Sequence, residues 1–230
     1  MDKIAKVKSI SLWVFIIPFL TINLCLILIT QFHELFPNKL NIIHNTIPYI
    51  DGGASISRTA RVFPTYLIFK PAMFLTSYLL IKYWIYNKEI IHDFKNNHKN
   101  INYILFFGIG SAILLTLHSI FLGIKFDNDI YKLFRRVVML AFIIFEVAAQ
   151  AYLVHTYYSF KNDLLKFINE KFLKIKLILV ITLILVALIS IPIISMPGNK
   201  HIKHALEWDY FIAVISFYLL TFFMWKNKNQ

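Results

Sequence analysis

The chain has 230 residues, of which 58% are hydrophobic and only 16% are charged, and its formal net charge is +12. Soluble globular domains contain about 45–50% apolar and about 25% charged residues, and a chain of this length cannot bury so large an excess in one core. This composition excludes a soluble domain, and a mean hydropathy of +0.64 excludes intrinsic disorder, so the chain is predicted to be an integral membrane protein.

Six apolar segments are each long enough to cross a bilayer. A spanning helix needs about 20 predominantly apolar residues, because the hydrocarbon core is about 30 Å thick and each helical residue rises about 1.5 Å. In chain order the segments are 10–30, 64–86, 102–124, 137–160, 177–196 and 205–225. The sequence therefore predicts an all-α fold, a polytopic bundle of six transmembrane helices, with residues 1–230 forming a single integral membrane domain.

The first segment, 10–30, follows three lysines and has the outline of a secretory signal peptide. It is longer than the usual apolar region of about 7–15 residues, and no small-residue cleavage site follows it. We therefore expect a retained first helix. The single cysteine, Cys25, lies in this segment and cannot form an internal disulfide.

A long loop over residues 31–63 follows the first segment. Its centre reads IPYIDGGASISRTARVFP and contains an Asp-Gly-Gly turn signal between two prolines. Loops of this length are more often functional than merely connecting. We expect an ordered outer loop that caps the bundle and directs Arg58 and Arg61 to lipid phosphates, and the alternative is a cover without a chemical role.

Lysine and arginine are distributed unevenly between the two sides of the predicted bundle. The inner segments are 1–8, 87–101, 161–176 and 226–230, and the outer segments are 31–63, 125–136 and 197–204. The inner set holds 13 basic residues in 44 positions and the outer set holds 9 in 53. The positive-inside rule then predicts that both termini are cytoplasmic, in the plasma (inner) membrane if the host is bacterial. The basic residues are dispersed over short loops, so the expected partners are membrane lipids and not nucleic acid.

Several ionisable residues lie inside the predicted spans, where each costs at least about 2.5–3.5 kcal/mol without a partner or water. The set comprises Lys70, His118, Glu146, His155, Glu207 and Asp209. Helical rise places Lys70 about 9 Å and Glu146 about 14 Å below the outer surface, whereas Glu207 and His118 lie near it. Glu207 and Asp209 differ by about 200° on a helix, and the stripe shared with Tyr218 directs Glu207 to the interior.

This polar set predicts a hydrated cavity open to the outer leaflet, with a carboxylate floor and a basic rim that suits a phosphate-bearing head group. The candidate lipid-binding residues are Glu207, Lys70, Glu146, His118, Arg58 and Arg61. In the alternative interpretation Lys70 pairs with Glu207 or Glu146 only to hold the helices together. Either interpretation predicts the ionised form of the Lys70–Glu207 pair.

No metal or cofactor is predicted. His201 and His204 beside Glu207 lack the helical HExxH spacing of a zinc site, and His118 and His155 lie towards opposite faces, which disfavours a transmembrane haem. Walker, GxGxxG and GxSxG motifs do not occur in the sequence, and catalytic residues remain unknown.

Three stretches resemble the Frag/DRAM/Sfk family of six-span membrane proteins, which includes a factor that remodels lipid on GPI anchors. PYIDGGASISRTARVFP is similar to that family's first lumenal loop, although its Asp-Gly-Gly replaces a more alanine-rich run. LTLHSIFLGI resembles the third span, and HALEWDYFIAVISFYLLTF resembles the last span, where Glu207 precedes Trp208. The resemblance implies lipid remodelling or membrane homeostasis.

We therefore expect a multi-pass membrane protein that binds or handles lipid head groups of the outer leaflet. The first alternative is a membrane-embedded lipid acyltransferase or hydrolase with Glu207 or His118 as general base and Ser55 or Ser57 as nucleophile. The second alternative is a small-solute transporter, for which broken helices or inverted repeats would be typical.

Overall fold

The computed structural model describes residues 2–95, 99–124 and 128–226, without the side chains at positions 194 and 195. Parts of the predicted segments 1–8, 87–101, 125–136 and 226–230 therefore lie outside the described residues. Within the described ranges the chain is helical and contains no β-strand, which confirms the predicted all-α fold. The α-helices are α1 (Asp2–Gln31), α2 (Pro48–Asp51), α3 (Ile56–Ala60), α4 (Thr65–Phe94), α5 (Ile101–Phe121), α6 (Asp129–Ser159), α7 (Lys161–Leu164), α8 (Glu170–Ser195) and α9 (Lys200–Met224), with 3₁₀ turns at His33–Leu35 and Lys39–Asn41.

Five helices, α1, α5, α6, α8 and α9, are long and apolar enough to cross a membrane. Their outer faces are apolar as well: Ile178, Ile181, Leu185, Leu188 and Ile189 of α8 are all exposed. Exposed apolar patches of this extent are rare on soluble monomers and are typical of surfaces that contact lipid. The helices fit an integral multi-pass membrane protein. The long helix α4 has 30 residues, but lysines interrupt its apolar stretch.

The six long helices form a closed ring in the order α1, α4, α5, α6, α8, α9 and back to α1. Successive helices run in opposite directions. Lys3 at the start of α1 forms an ion pair of 2.9 Å with Asp93 at the end of α4, and Ile168 before α8 pairs with Trp225 after α9. We call this end of the ring the amino-terminal end. The opposite end, where residues 32–64 and the α8–α9 turn lie, is the cap end.

The helices extend beyond the apolar segments that the sequence identifies. Helix α6 begins at Asp129 instead of 137, and α8 begins at Glu170 instead of 177. The side chains of Asn128 and Asn169 cap these helices by accepting hydrogen bonds from the backbone N–H groups two residues on. Hydropathy detects only the part of a helix that is apolar, so the polar first turns are assigned to loops in error.

Aromatic side chains fill the ring between its middle and its amino-terminal end. Tyr83 and Trp84 of α4 and Tyr218 of α9 are buried, and the Tyr83 and Tyr218 ring centroids lie 4.9 Å apart. A Cβ atom on Gly108 would overlap the Trp84 ring, so the glycine allows α5 to approach α4 closely. This packing fills the interior of the amino-terminal half of the ring, and the interior cavity lies towards the cap end.

Candidate functional site

Residues 32–64, which we call the cap, cover one end of the ring. Three side chains of α9 bind cap carbonyl oxygens: His201 Nδ1 contacts Asp51 at 3.1 Å, His204 Nδ1 contacts Gly52 at 2.9 Å, and Trp208 Nε1 donates to Ala54 at 2.8 Å. A carbonyl only accepts hydrogen bonds, so both histidines carry a proton on Nδ1. The cap is thus fastened to the first three turns of the last helix.

A tight turn at Asp51-Gly52 brings the cap to α9. Gly52 has φ +60°, and a Cβ atom there would overlap the backbone carbonyl of His201, so the position requires glycine. The Asp51 carboxylate accepts hydrogen bonds from the Thr46 hydroxyl at 2.6 Å and from two backbone N–H groups. These donors hold the pKa of Asp51 below its usual value. The turn is therefore fixed from both sides of the glycine.

A cavity of about 680 Å³ lies beneath the cap, with walls from α1, α3, α4, α5, α6 and α9. Its walls are mainly apolar and include Pro18, Ile22, Phe69, Met73 and Leu80. Its mouth is basic and is lined by Arg61, Lys132, Arg135 and Arg136. Helical rise places Glu146 about 16 Å deeper than Arg135 along α6. The cavity is thus an apolar well with a cationic entrance and a carboxyl group at its floor.

The structure brings four of the six predicted site residues to this cavity: Glu207, Glu146, His118 and Arg61. Arg58 lies in an adjacent cleft on the cap. Lys70 does not line the cavity, because its Nζ donates to the Ile120 carbonyl at 3.2 Å.

The predicted ion pair between Lys70 and Glu207 or Glu146 does not form, and this prediction is wrong. Among the described residues, no carboxylate lies within 4 Å of Lys70. The physical reason is the order of the ring. Helix α4 packs between α1 and α5, so Lys70 lies against the end of α5 and away from α9.

Glu207 supports the cap. Its carboxylate faces the backbone N–H groups of Ile56 and Ser57 at the start of α3, and no basic side chain of the described ranges lies within 4 Å of it. The partial positive charge of these two backbone amides favours the nearby carboxylate and links the start of the short helix to α9. Glu207 thus connects α9 to the cap at the edge of the mouth.

The three arginines at the mouth have no acidic partner among the described residues, whereas Lys132 pairs with Asp129 at 3.0 Å. Arg61 and Arg135 form no ion pair with any carboxylate of the described residues, and burial together with the neighbouring charges of Arg135 and Arg58 lowers the pKa of Arg61. The buried Nε of Arg135 and Nδ1 of His118 also lack a partner in the described part of the chain. Buried donors without acceptors are costly. The mouth therefore presents positive charge and unpaired polar atoms at the entrance of an apolar cavity.

The floor of the cavity is a hydrogen-bond network around Glu146, which is fully buried. Its carboxylate contacts the Tyr218 hydroxyl, the Ser111 hydroxyl at 2.7 Å and Gln150 Nε2 at 2.9 Å. Gln150 also donates to the Val214 carbonyl. The network joins α5, α6 and α9 in the middle of the ring and separates the cavity from the amino-terminal half.

The sequence interpretation missed Lys176, which it assigned to an inner loop. The side chain is fully buried within α8, its Nζ donates to Thr221 Oγ1 at 2.7 Å, and it lies 3.9 Å from the centre of the Phe217 ring. The spacing of Lys176 relative to its buried neighbours in α8 could have identified it as a buried residue. Lys176 falls on the buried stripe of Leu173 and Val180, at intervals of three and four residues.

The nucleophile–base pair expected of an enzyme does not form among the described residues. The hydroxyls of Ser55 and Ser57 contact each other at 3.3 Å, and neither forms a hydrogen bond to His118 or His204. Comparisons with protein-family models, curated proteins and solved structures found no match to this chain. The residues of the mouth and the well are therefore the features from which we infer a function.

Proposed function

We propose that this protein is a six-span membrane protein that binds anionic lipid of the outer leaflet, with the head group at the basic mouth and an acyl chain in the well. The single observation that carries this proposal is the group of arginines, Arg61, Arg135 and Arg136, that line the entrance of an apolar cavity and have no acidic partner among the described residues. Arginine binds phosphate oxygens through paired, charge-assisted hydrogen bonds. The lipid-handling role implied by the Frag/DRAM/Sfk resemblance points in the same direction.

The head group supplies the selectivity in this proposal. An acyl chain that moves from the bilayer into the well exchanges one apolar environment for another, so little net free energy comes from the chain. The well, lined by residues such as Phe69 and Met73, accommodates the chain without a penalty. The phosphate binds Arg61 and Arg135, which form no ion pair with a carboxylate in the described ranges. Affinity should therefore depend on the charge of the head group.

The sixth span and the orientation belong to the same proposal. Helix α4 runs between the same two ends as α1, since Asp93 near its end contacts Lys3 at the start of α1. Because α4 joins the same two ends of the ring as α1 and α5, it should cross the membrane as they do. Six crossings would return the chain to its starting side, and the basic-residue bias of the sequence assigns that side to the cytoplasm.

Cysteine labelling tests this orientation. In a Cys25→Ala background, single cysteines at Asn128 and Asn199, both at the cap end, should react with a membrane-impermeant maleimide added to intact cells. A cysteine at Asn162, at the amino-terminal end, should react only after the membrane is permeabilised. Labelling of Asn162 in intact cells, with protection of the other two positions, would reverse the proposed topology.

Lipid binding tests the function directly. We expect purified protein in detergent to bind phosphatidylglycerol and to bind uncharged diacylglycerol at least about tenfold more weakly, because one charge-assisted contact corresponds to about 1.5–3 kcal/mol. The Arg135→Gln variant should lose about tenfold in affinity for phosphatidylglycerol. Lys39→Gln removes the same charge from an exposed part of the cap and is the control. Equal affinity of the wild type for both lipids would contradict the proposal.

A further inference from the structure

A second basic cleft lies on the cap beside the mouth of the cavity. Its volume is about 320 Å³. The polar side chains that line it are Asn41, Ser55, Arg58, Arg61, Lys200 and His204. The cleft is therefore built from both the cap and the first turn of α9, the two parts that the histidine and tryptophan hydrogen bonds hold together.

The charge of this cleft is unbalanced. No carboxylate lines it, and neither Arg58 nor Lys200 forms an ion pair with a carboxylate of the described residues. His204 donates through Nδ1 to Gly52, which leaves Nε2 as its second ring nitrogen for a ligand. Like charges this close are unfavourable without a counter-ion. The cleft thus has the composition of an anion site.

Arg61 connects this cleft to the cavity. It lines both spaces, and it also lines a third small cleft together with Arg135. Arg61 follows Arg58 by three positions across α3 and its C-cap, so the two arginines lie on the same side of the cap. An anion held by Arg61 at the mouth is therefore a direct neighbour of an anion held by Arg58 in the cleft.

We infer that the head group bound by this protein carries two phosphate groups, one at Arg61 and Arg135 in the mouth and one at Arg58, Lys200 and His204 in the cleft. The inference rests on the proposed function and names the class of lipid that the site selects. A single phosphate occupies the mouth and leaves the cleft without a counter-ion. A diphosphate head group or a head group with two phosphates satisfies both sites through the shared arginine.

Two lipids with identical chains test this inference. Dioleoyl phosphatidic acid carries one phosphate and dioleoylglycerol pyrophosphate carries two. We expect the wild-type protein in detergent to bind the pyrophosphate lipid at least about tenfold more tightly, which corresponds to one further charge-assisted contact. Lys200→Gln and Arg58→Gln should each remove most of this advantage and leave the affinity for phosphatidic acid within about twofold.

Lys203→Gln is the matched control, since it removes the same charge from the same helix at a position that does not line the cleft. It should leave both affinities unchanged. Thermal unfolding of each variant verifies that it is folded. Inorganic pyrophosphate is not concentrated in the micelle that surrounds the protein, as the lipid is, so it should compete only at more than about tenfold higher total concentration.

The outcomes separate this inference from the proposed function. Equal affinity for the two lipids, or an advantage that survives both cleft substitutions, would overturn the second phosphate site and leave the proposed function intact. If neither lipid binds, both the proposed function and the second phosphate site are overturned. Competition by inorganic pyrophosphate at equal concentration would show that a free diphosphate is the ligand, and would overturn the assignment to a lipid.

Discussion

Replacement of Glu146 by leucine is expected to lower the free energy of unfolding by about 2–4 kcal/mol. The Tyr218 hydroxyl would lose its acceptor inside the bundle, and a buried donor without a partner costs about 1–3 kcal/mol. Ser111 and Gln150 keep the carbonyls of Gly108 and Val214 as acceptors. The lost stability should therefore come mainly from the Tyr218 hydroxyl, which is left without an acceptor. Reversible unfolding in mixed micelles measures it.

Two companion variants locate the cause of this effect. Glu146→Gln retains one acceptor oxygen at the same position and should cost less than the leucine variant. Tyr218→Phe, added to Glu146→Leu, removes the unpaired hydroxyl and should restore part of the lost stability. An absence of recovery, together with equal losses for glutamine and leucine, would contradict the view that this network stabilises the bundle.

Gly52→Ala is expected to detach the cap from α9. The left-handed backbone conformation at Gly52 costs an alanine about 1 kcal/mol, and its Cβ atom would overlap the His201 carbonyl, which is backbone and cannot move aside cheaply. The hydrogen bonds from His204 and Trp208 to the cap should break together with the turn. We expect a loss of about 3 kcal/mol or more and rapid proteolysis within residues 32–64.

Gly198→Ala is the matched control for this prediction. Gly198 also has a positive φ, of +90°, but a Cβ atom there would meet nothing within 4 Å. It carries the backbone strain of a left-handed residue without the overlap. Its loss of stability should be about 1 kcal/mol, and the cap should remain resistant to protease. A similar effect of both variants would show that contact with α9 does not hold the cap.

Much of the fold could be predicted from the sequence because the bilayer restricts the choice. An apolar run of about 20 residues has no alternative to a helix when water is absent, so the all-α fold follows from segment lengths. Ionisable residues inside such apolar runs can also be identified from the sequence. Glu146, Glu207 and His118 are prominent in the sequence, and the structure places all three at one cavity.

The positions of the two lysines could not be predicted in the same way. Which neighbour Lys70 contacts depends on the order of the helices around the ring, and that order is not encoded in the periodicity of α4 alone. Lys176 lies within the basic start of α8, where hydropathy indicates a surface segment. Its burial depends on Thr221 and Phe217 of α9, which supply the hydroxyl and the ring that the amine contacts.

The closed ring has a consequence for biosynthesis. Helix α9 packs on α1 and thereby joins the last long helix to the first, and its His201, His204 and Trp208 also bind the cap. The ribosome makes α9 after the other long helices. Until then α1 and α8 lack their contacts with α9, and the ring is open. The well is incomplete and the cap is not held in place until α9 inserts, because α9 lines the well and binds the cap. A chain that lacks α9 would deprive Lys176 of the Thr221 hydroxyl and Glu146 of the Tyr218 hydroxyl inside the bilayer, so it should be less stable in the membrane.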